Sequence, residues 1–501
     1  MKWQVDTQRW FGSLVLTVAA LAALAIPLQA QGQPTGLPSI GTASGADLSP
    51  AWEQRLGDSI IAQGRRDPTF VHDAELNQYL NDMGNRLAQH ASGSAPRIEL
   101  FGVKDPAFNA FALPGGYIGI NTGLIVQADS EAEVAGVMAH EIAHVTQRHI
   151  ARGLTQSRQS ERLAMATVAA SLLAALAGGV DMAAGVAAFG QAAVIDQQLG
   201  FSRSAEREAD RIGFQMLSQS GYDPQGLEDM FGKLMRSAQM NVNASGNNYL
   251  STHPLSIDRM TDMQNRTQTA PKSQYQDSPA FWYIRSKSLI LQTDSRRAMS
   301  RVVEQLQDEG RRFEGVKRSA AWWALSELAA QSKQYADALR FLDYAKKGVS
   351  TNPFLVRQSV SIDLAQGNAQ KALAAADQAL TRWPQHRALA ELKAKSLQAL
   401  GRHAEAARFL ETQTKKWPAE APGLYEMMAQ NLLAAEQPVQ ARVAMSDYYV
   451  LTGAYPAAMA QLQQARDMSD DFHAKSKLDV RIRALRERMA QEQEVLERFS
   501  G

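Results

Sequence analysis

The chain has 501 residues, of which 45% are hydrophobic, 21% charged and 7% aromatic. Lysine plus arginine total 52 against 51 acidic residues, so the formal charge of +1 offers no argument for a nucleic-acid partner. Cysteine is absent, which excludes disulfides, thiolate metal sites and cysteine nucleophiles; any metal must be held by histidine, carboxylate or water.

No charge occurs between Trp10 and Ala46, and Leu14 to Ile26 is apolar except for Thr17. As a helix this run reaches ~20 Å, short of the ~30 Å hydrocarbon core of a bilayer. Pro27 breaks it, and Leu28-Gln29-Ala30 ends in a small residue. The pattern predicts a signal peptide over 1–30, with an uncleaved anchor as the alternative, then a Gly/Pro/Ser-rich linker over 31–49. Export without cysteine fits a bacterial periplasm.

From Pro50 to about residue 270 the pattern is mixed. Leu76, Leu80, Met83 and Leu87 recur at helical spacing and predict an amphipathic helix over roughly 72–90. Arg97–Val103 and Ala110–Leu113 read as strands, and Pro114-Gly115-Gly116 turns the chain into a third, Tyr117–Asn121. Ser130 with Glu133 three residues on is a capping-box signature for a helix starting near Glu131. Residues 163–195 are rich in Ala, Leu, Val and Gly, with Asp181 the only charge, and are split by Gly178-Gly179, too short on either side to span a bilayer. They read as paired helices or as a surface with at most peripheral contact to membrane or client. The Asn/Ser/Gly-rich stretch 239–252 reads as a loop.

Beyond about 278 the chain reads as continuous helix with a 34-residue period. Trp383-Pro384 and Trp417-Pro418 share a phase, as do Gly367 and Gly401, and Ala338, Ala372 and Ala406. That is the tetratricopeptide (TPR) period, although each unit lacks the full consensus. Such stacks present a concave surface suited to peptide or protein. An irregular helical bundle is the alternative.

His140-Glu141-Ile142-Ala143-His144 falls within the helix opened by Ser130. Histidines at i and i+4 place two imidazoles on one face, where both can hold a zinc ion. Glu141 lies about 100° around the helix, placed to act as general base on an attacking water and then to hand the proton to the leaving amine. The third ligand cannot follow the metzincin spacing, because Gln147 and Ile150 stand where that pattern needs glycine and histidine. Ser202 to Asp210 supplies carboxylates instead. Glu206 and Asp210 share a face, with Glu208 roughly opposite, so Glu206 is the expected ligand and Asp210 the group that orients a ligand histidine. Taken alone, Arg203, Glu206, Arg207 and Asp210 could also be a surface charge cluster.

Asn109-Ala110-Phe111-Ala112-Leu113-Pro114-Gly115-Gly116, Asn121-Thr122-Gly123, His140–His144 and Glu206–Asp210 together resemble the gluzincin peptidases of the HtpX and CAAX-prenyl-endopeptidase family. The signal and repeats narrow the resemblance to a periplasmic branch concerned with β-barrel assembly. It implies an α+β zincin-like metallopeptidase domain, mostly helical with a small sheet, over 50–270, followed by an all-α TPR solenoid over 278–501. It implies one Zn2+ on His140, His144 and Glu206, with Glu141 as base. It also implies cleavage of misassembled outer-membrane barrel proteins, chaperone-like assistance, and contact with the barrel assembly machinery through the repeats. The family's membrane-embedded members have spanning helices that this chain lacks after its signal.

His253, just after the 239–252 loop, either occupies the open metal position in a latent state or is an ordinary surface histidine. Arg259 either stabilises the oxyanion or serves as a salt-bridge partner. His149 reads as structural, being well off the ligand face. By the resemblance, Tyr117–Asn121 is the sheet edge on which an extended substrate pairs. The alternative to a peptidase is a periplasmic chaperone or assembly scaffold with a latent or vestigial metal site, and Glu141 argues against it, since a scaffold has no need of a general base.

Overall fold

The computed structural model describes residues 49–91, 97–156, 202–240, 249 and 253–500, all within one compact unit that starts at Ala43. The expected signal peptide, nearly all of the linker, the apolar 163–195 stretch and most of the 239–252 loop lie outside the described residues. Among those described, no helix is long and apolar enough to cross a membrane.

Helix α1 (Pro50–Gly64) opens on Ser49, whose side chain accepts the Trp52 amide. Helix α2 (Ala74–Ala88) opens in the same way on Asp73 and buries Leu76, Leu80, Met83 and Leu87, the stripe seen in the sequence. Three strands follow: β1 (Glu99–Val103), β2 (Ala110–Leu113) and β3 (Tyr117–Asn121). Between β2 and β3 the Pro114–Gly116 turn holds Gly115 at φ +76°, a left-handed conformation that favours glycine.

The sheet order is β1-β3-β2, with β3 parallel to β1 and antiparallel to β2. The expectation that Tyr117–Asn121 is an edge is therefore corrected. The tight Pro114–Gly116 turn folds β2 onto one side of β3 while β1 takes the other, so β3 is central and β1 and β2 are the outer strands.

Helix α3 (Thr122–Gln127) leads to α4 (Glu131–Thr146), capped by Ser130 on the Glu133 amide as expected. Glu133 reaches back to the amide of Asp129 rather than that of Ser130. Every residue of α4 from Glu131 to Val145 is buried. It packs against α2, β2, α6 (Arg203–Gln219) and α7 (Gln225–Met240). Two further helices, α5 (His149–Gln156) and α8 (Ile257–Thr269), complete this mostly helical α+β region.

From Pro279 onward twelve helices follow, each packed on the next, down to Phe472–Ser500. Those beginning at Tyr335, Ala369 and His403 repeat at the period of 34 read from the sequence. Ala338, Ala372 and Ala406 are fully buried where paired helices approach, and Gly367 and Gly401 take positive φ in the turns. This is an all-α, TPR-like solenoid. Its last helix returns to the start of the described chain, where Ser59 of α1 donates to Glu492 at 2.6 Å.

Candidate metal centre and active site

Helix α4 carries His140, Glu141 and His144; α6 carries Glu206 and Asp210. The two helices approach closely at Gly213, where an added Cβ would lie 3.1 Å from the backbone nitrogen of His140. Ser202 caps α6, which places Glu206 in its first turn.

His140 Nε2 lies 3.0 Å from His144 Nε2 and 3.3 Å from His253 Nδ1. Glu206 Oε1 stands 3.1 Å from His253 Nδ1 and 3.5 Å from His144 Nε2, and its Oε2 is 3.5 Å from His140 Nε2. All four side chains are buried, with one donor atom from each within 4.8 Å of the others. Burial, joined by the neighbouring His140, pushes His144 well below the ordinary imidazole range and keeps it neutral. For Glu206 burial alone would act upward, but His253 and His140 hold it well below the usual carboxylate range.

Asp210 stands behind His140, with Oδ1 at 3.1 Å from Nδ1. Arg259 clamps Asp210 through Nε at 2.7 Å and Nη2 at 2.8 Å. Its Nη1 reaches Glu206 Oε2 at 2.7 Å and donates to the Pro254 carbonyl at 2.9 Å. Glu141 is buried, and burial raises its pKa above the ordinary value. Its Oε1 is 3.4 Å from the Tyr249 hydroxyl and 3.5 Å from His253 Nε2, whereas Oε2 has no hydrogen-bond partner among the described residues. The Tyr249 ring stacks on His253, with centroids 4.6 Å apart.

The profile of peptidase family M48 matches residues 74–267, which contain every one of these groups. The beta-barrel assembly-enhancing protease of Escherichia coli K12 is 30% identical over 86% of this chain and 86% of its own. This chain belongs to that branch of the M48 metalloendopeptidases. A Vibrio cholerae relative is 33% identical over 67% of this chain and 66% of its own. The mitochondrial metalloendopeptidase OMA1 of Arabidopsis thaliana is 36% identical, but over only 40% of this chain and 35% of its own.

The family implies a metal, and the donor set of this M48 peptidase fits one. Tetrahedral coordination by nitrogen and oxygen at ~2.0–2.15 Å sets ligand atoms ~3.3–3.5 Å apart. The separations above, 3.0 to 3.5 Å, lie close to that range. Two imidazole nitrogens directed at each other at 3.0 Å gain most from a shared cation.

The structure thus brings His140, His144, Glu206 and His253 together, with Asp210 one layer behind. Arg259 makes the contacts of the salt-bridge alternative, with Asp210, Glu206 and the Pro254 carbonyl engaging its fork of donors. Two participants escaped the sequence reasoning. Tyr249 precedes His253 by four residues, and the His253 amide donates to the Tyr249 carbonyl at 2.8 Å, so i, i+4 spacing was an available signal. His149 was placed off the ligand face, yet its Nδ1 lies 2.9 Å from His144 Nδ1. An unbroken helix would put it about 140° from His144. Arg148, at φ +52° between α4 and α5, ends that geometry and turns His149 back.

Proposed function

We infer that this M48 peptidase is a zinc-dependent endopeptidase of the bacterial periplasm that cleaves misassembled outer-membrane β-barrel proteins and assists their assembly. Residues 50–270 form the peptidase part, and 278–501 the repeats that dock clients or the assembly machinery. The supporting observation is the convergence of four buried donors beside Glu141, whose second oxygen is unpaired among the described residues. His140, His144 and Glu206 would hold zinc, with Asp210 fixing His140 through Nδ1.

Bound zinc supplies Lewis-acid polarisation of the scissile carbonyl and acidifies water. Glu141 takes the proton of the attacking water at a carboxylate oxygen and delivers it to the leaving amine, a task for which its raised pKa suits it. His253 Nδ1, within 3.3 Å of His140 Nε2, would serve as a further ligand in the resting state. A client must displace it, which keeps the enzyme latent until an unpaired strand arrives.

The relatives' name supports the barrel-protein substrate, and the signal-like pattern of residues 1–30 supports the compartment. The deciding experiment is Glu141→Gln. It should retain metal and fold but slow cleavage of an unfolded outer-membrane barrel protein by ~10²–10⁴-fold. Cleavage at the parental rate refutes the mechanism; lost cleavage with full assembly function favours the scaffold.

A further inference from the structure

The outer nitrogen of His140 faces a carboxylate, with Asp210 Oδ1 at 3.1 Å. The outer nitrogen of His144 is approached by another imidazole. There Nδ1 meets His149 Nδ1 at 2.9 Å; His149 Nε2 meets Glu208 Oε2 at 3.2 Å, and Arg152 Nη1 donates to the same oxygen at 2.8 Å. His149 is buried, while Glu208 and Arg152 are part-exposed at 28% and 33% of their side chains.

We propose that His149 and Glu208 form a hydrogen-bonded relay that fixes the tautomer and ring orientation of His144 for metal binding. The inference rests on the metal reading given above. A neutral imidazole carries one N–H. If the lone pair of His144 Nε2 faces the donor cluster, its N–H is on Nδ1 and donates to His149 Nδ1. The N–H of His149 is then on Nε2 and donates to Glu208, whose charge Arg152 holds in place. Every donor meets an acceptor. The reverse assignment fails twice. It puts an N–H on His144 Nε2, where a cation must bind, and it turns a lone pair of His149 Nε2 towards the Glu208 carboxylate. Only one set of tautomers satisfies the chain, and it leaves His144 ready as a ligand. Histidine thus extends the usual carboxylate brace by one ring, from α6 across α5 to α4. Glu208, on the face of α6 opposite Glu206, thereby acquires a role of its own.

The test is zinc affinity of the full mature chain, measured by competition with a chromophoric chelator at fixed pH, with melting curves of the metal-free proteins as the folding control. His149→Ala should weaken zinc binding ~10–100-fold, the range expected when a group supporting a ligand is lost. His149→Asn keeps an acceptor near the place of Nδ1 and should recover most of the affinity. His149→Phe keeps the ring but not the acceptor and should bind as poorly as His149→Ala. Recovery by Phe but not Asn would mean simple packing and would overturn the relay. So would parental affinity in His149→Ala. If that variant does not fold, Glu208→Gln, at a part-exposed position, carries the test: a few-fold loss upholds the relay and no loss refutes it. A parent chain that binds no zinc refutes the underlying metal site as well, so the two failures are distinguishable.

Discussion

Among the described residues, two of the buried clusters of charged side chains are neutralised in different ways. At the metal centre His140, His144, Glu206 and His253 converge, with Glu141 and Asp210 beside them and Arg259 as the nearby cation. Where α2 meets the repeats, Asp73 and Glu75 meet Lys287 of the 279–291 helix, whose Nζ lies 2.8 Å from Asp73 and 2.5 Å from Glu75. Arg357 bridges Glu75, at 3.1 Å, and Glu327. Burial would raise Asp73 and Glu75, but Lys287 and Arg357 bring both below their ordinary values, and the same carboxylates raise Lys287. The second cluster carries its own cations and serves as a strut between peptidase and solenoid. The first concentrates electron pairs on a point, where the family implies a metal, and Arg259 is the cation that pairs with its Glu206 and Asp210. Burial alone does not separate structural from functional charge; internal charge balance does.

Substitutions can break this contrast from either side. The largest effect is expected from Glu206→Gln, which should reduce zinc affinity by more than the ~100-fold upper figure for supporting groups, read by metal content after dialysis. Metal content equal to the parent's would remove Glu206 from the ligand set. Lys287→Met should leave zinc binding intact while lowering stability by about 3–5 kcal/mol, the usual cost of unpairing a buried charge, read by denaturant unfolding. An unchanged midpoint would mean that the strut contributes nothing net.

Acid sharpens the same comparison. Because Asp73 and Glu75 titrate lower in the folded chain than in the unfolded one, their stabilisation is present above the unfolded values of ~3.9 and ~4.3 and is lost as pH falls through the folded ones. Melting temperature should therefore show no pH dependence from this pair between pH 8 and 6, where its stabilisation is fully present, and should drop below about pH 4. Lys287→Met should flatten that acid limb; an identical limb in the variant would place the acid sensitivity elsewhere. The smallest effect is expected at the metal centre's own latch. His253→Ala should raise basal cleavage of an unfolded client a few-fold without loss of zinc, measured as initial rate, and a lower rate would make His253 a working part rather than a plug.

Much of the local architecture was readable because it follows short periods. The α2 stripe, the three strands, the Ser130 cap and the 34-residue phase of Ala338, Ala372 and Ala406 each depend on neighbours within a turn, a strand or one repeat. The His140/His144 pair and the Glu206/Asp210 face were legible for the same reason: a helix converts i, i+4 spacing into proximity. Misreadings arose where the backbone left such a period or where a partner came from afar. Arg148 breaks the helical phase, so spacing misplaced His149. Strand order depends on which neighbour β3 finds on each side, and the pattern of Tyr117–Asn121 carries no sign of that. The pairing of Arg259 with Asp210 likewise came only from the approach of α6, 49 residues away in sequence.

The order of residues along the chain was thus enough to specify the reactive groups, the helices that carry them and the repeating unit of the solenoid, since each is governed by contacts a few residues apart. Which donors share one point, which carboxylates are answered by lysine and arginine, and which strand lies at the centre of the sheet depended on packing between segments up to hundreds of residues apart. Those long-range contacts set burial and charge balance, and neither quantity is a property of any short stretch of sequence.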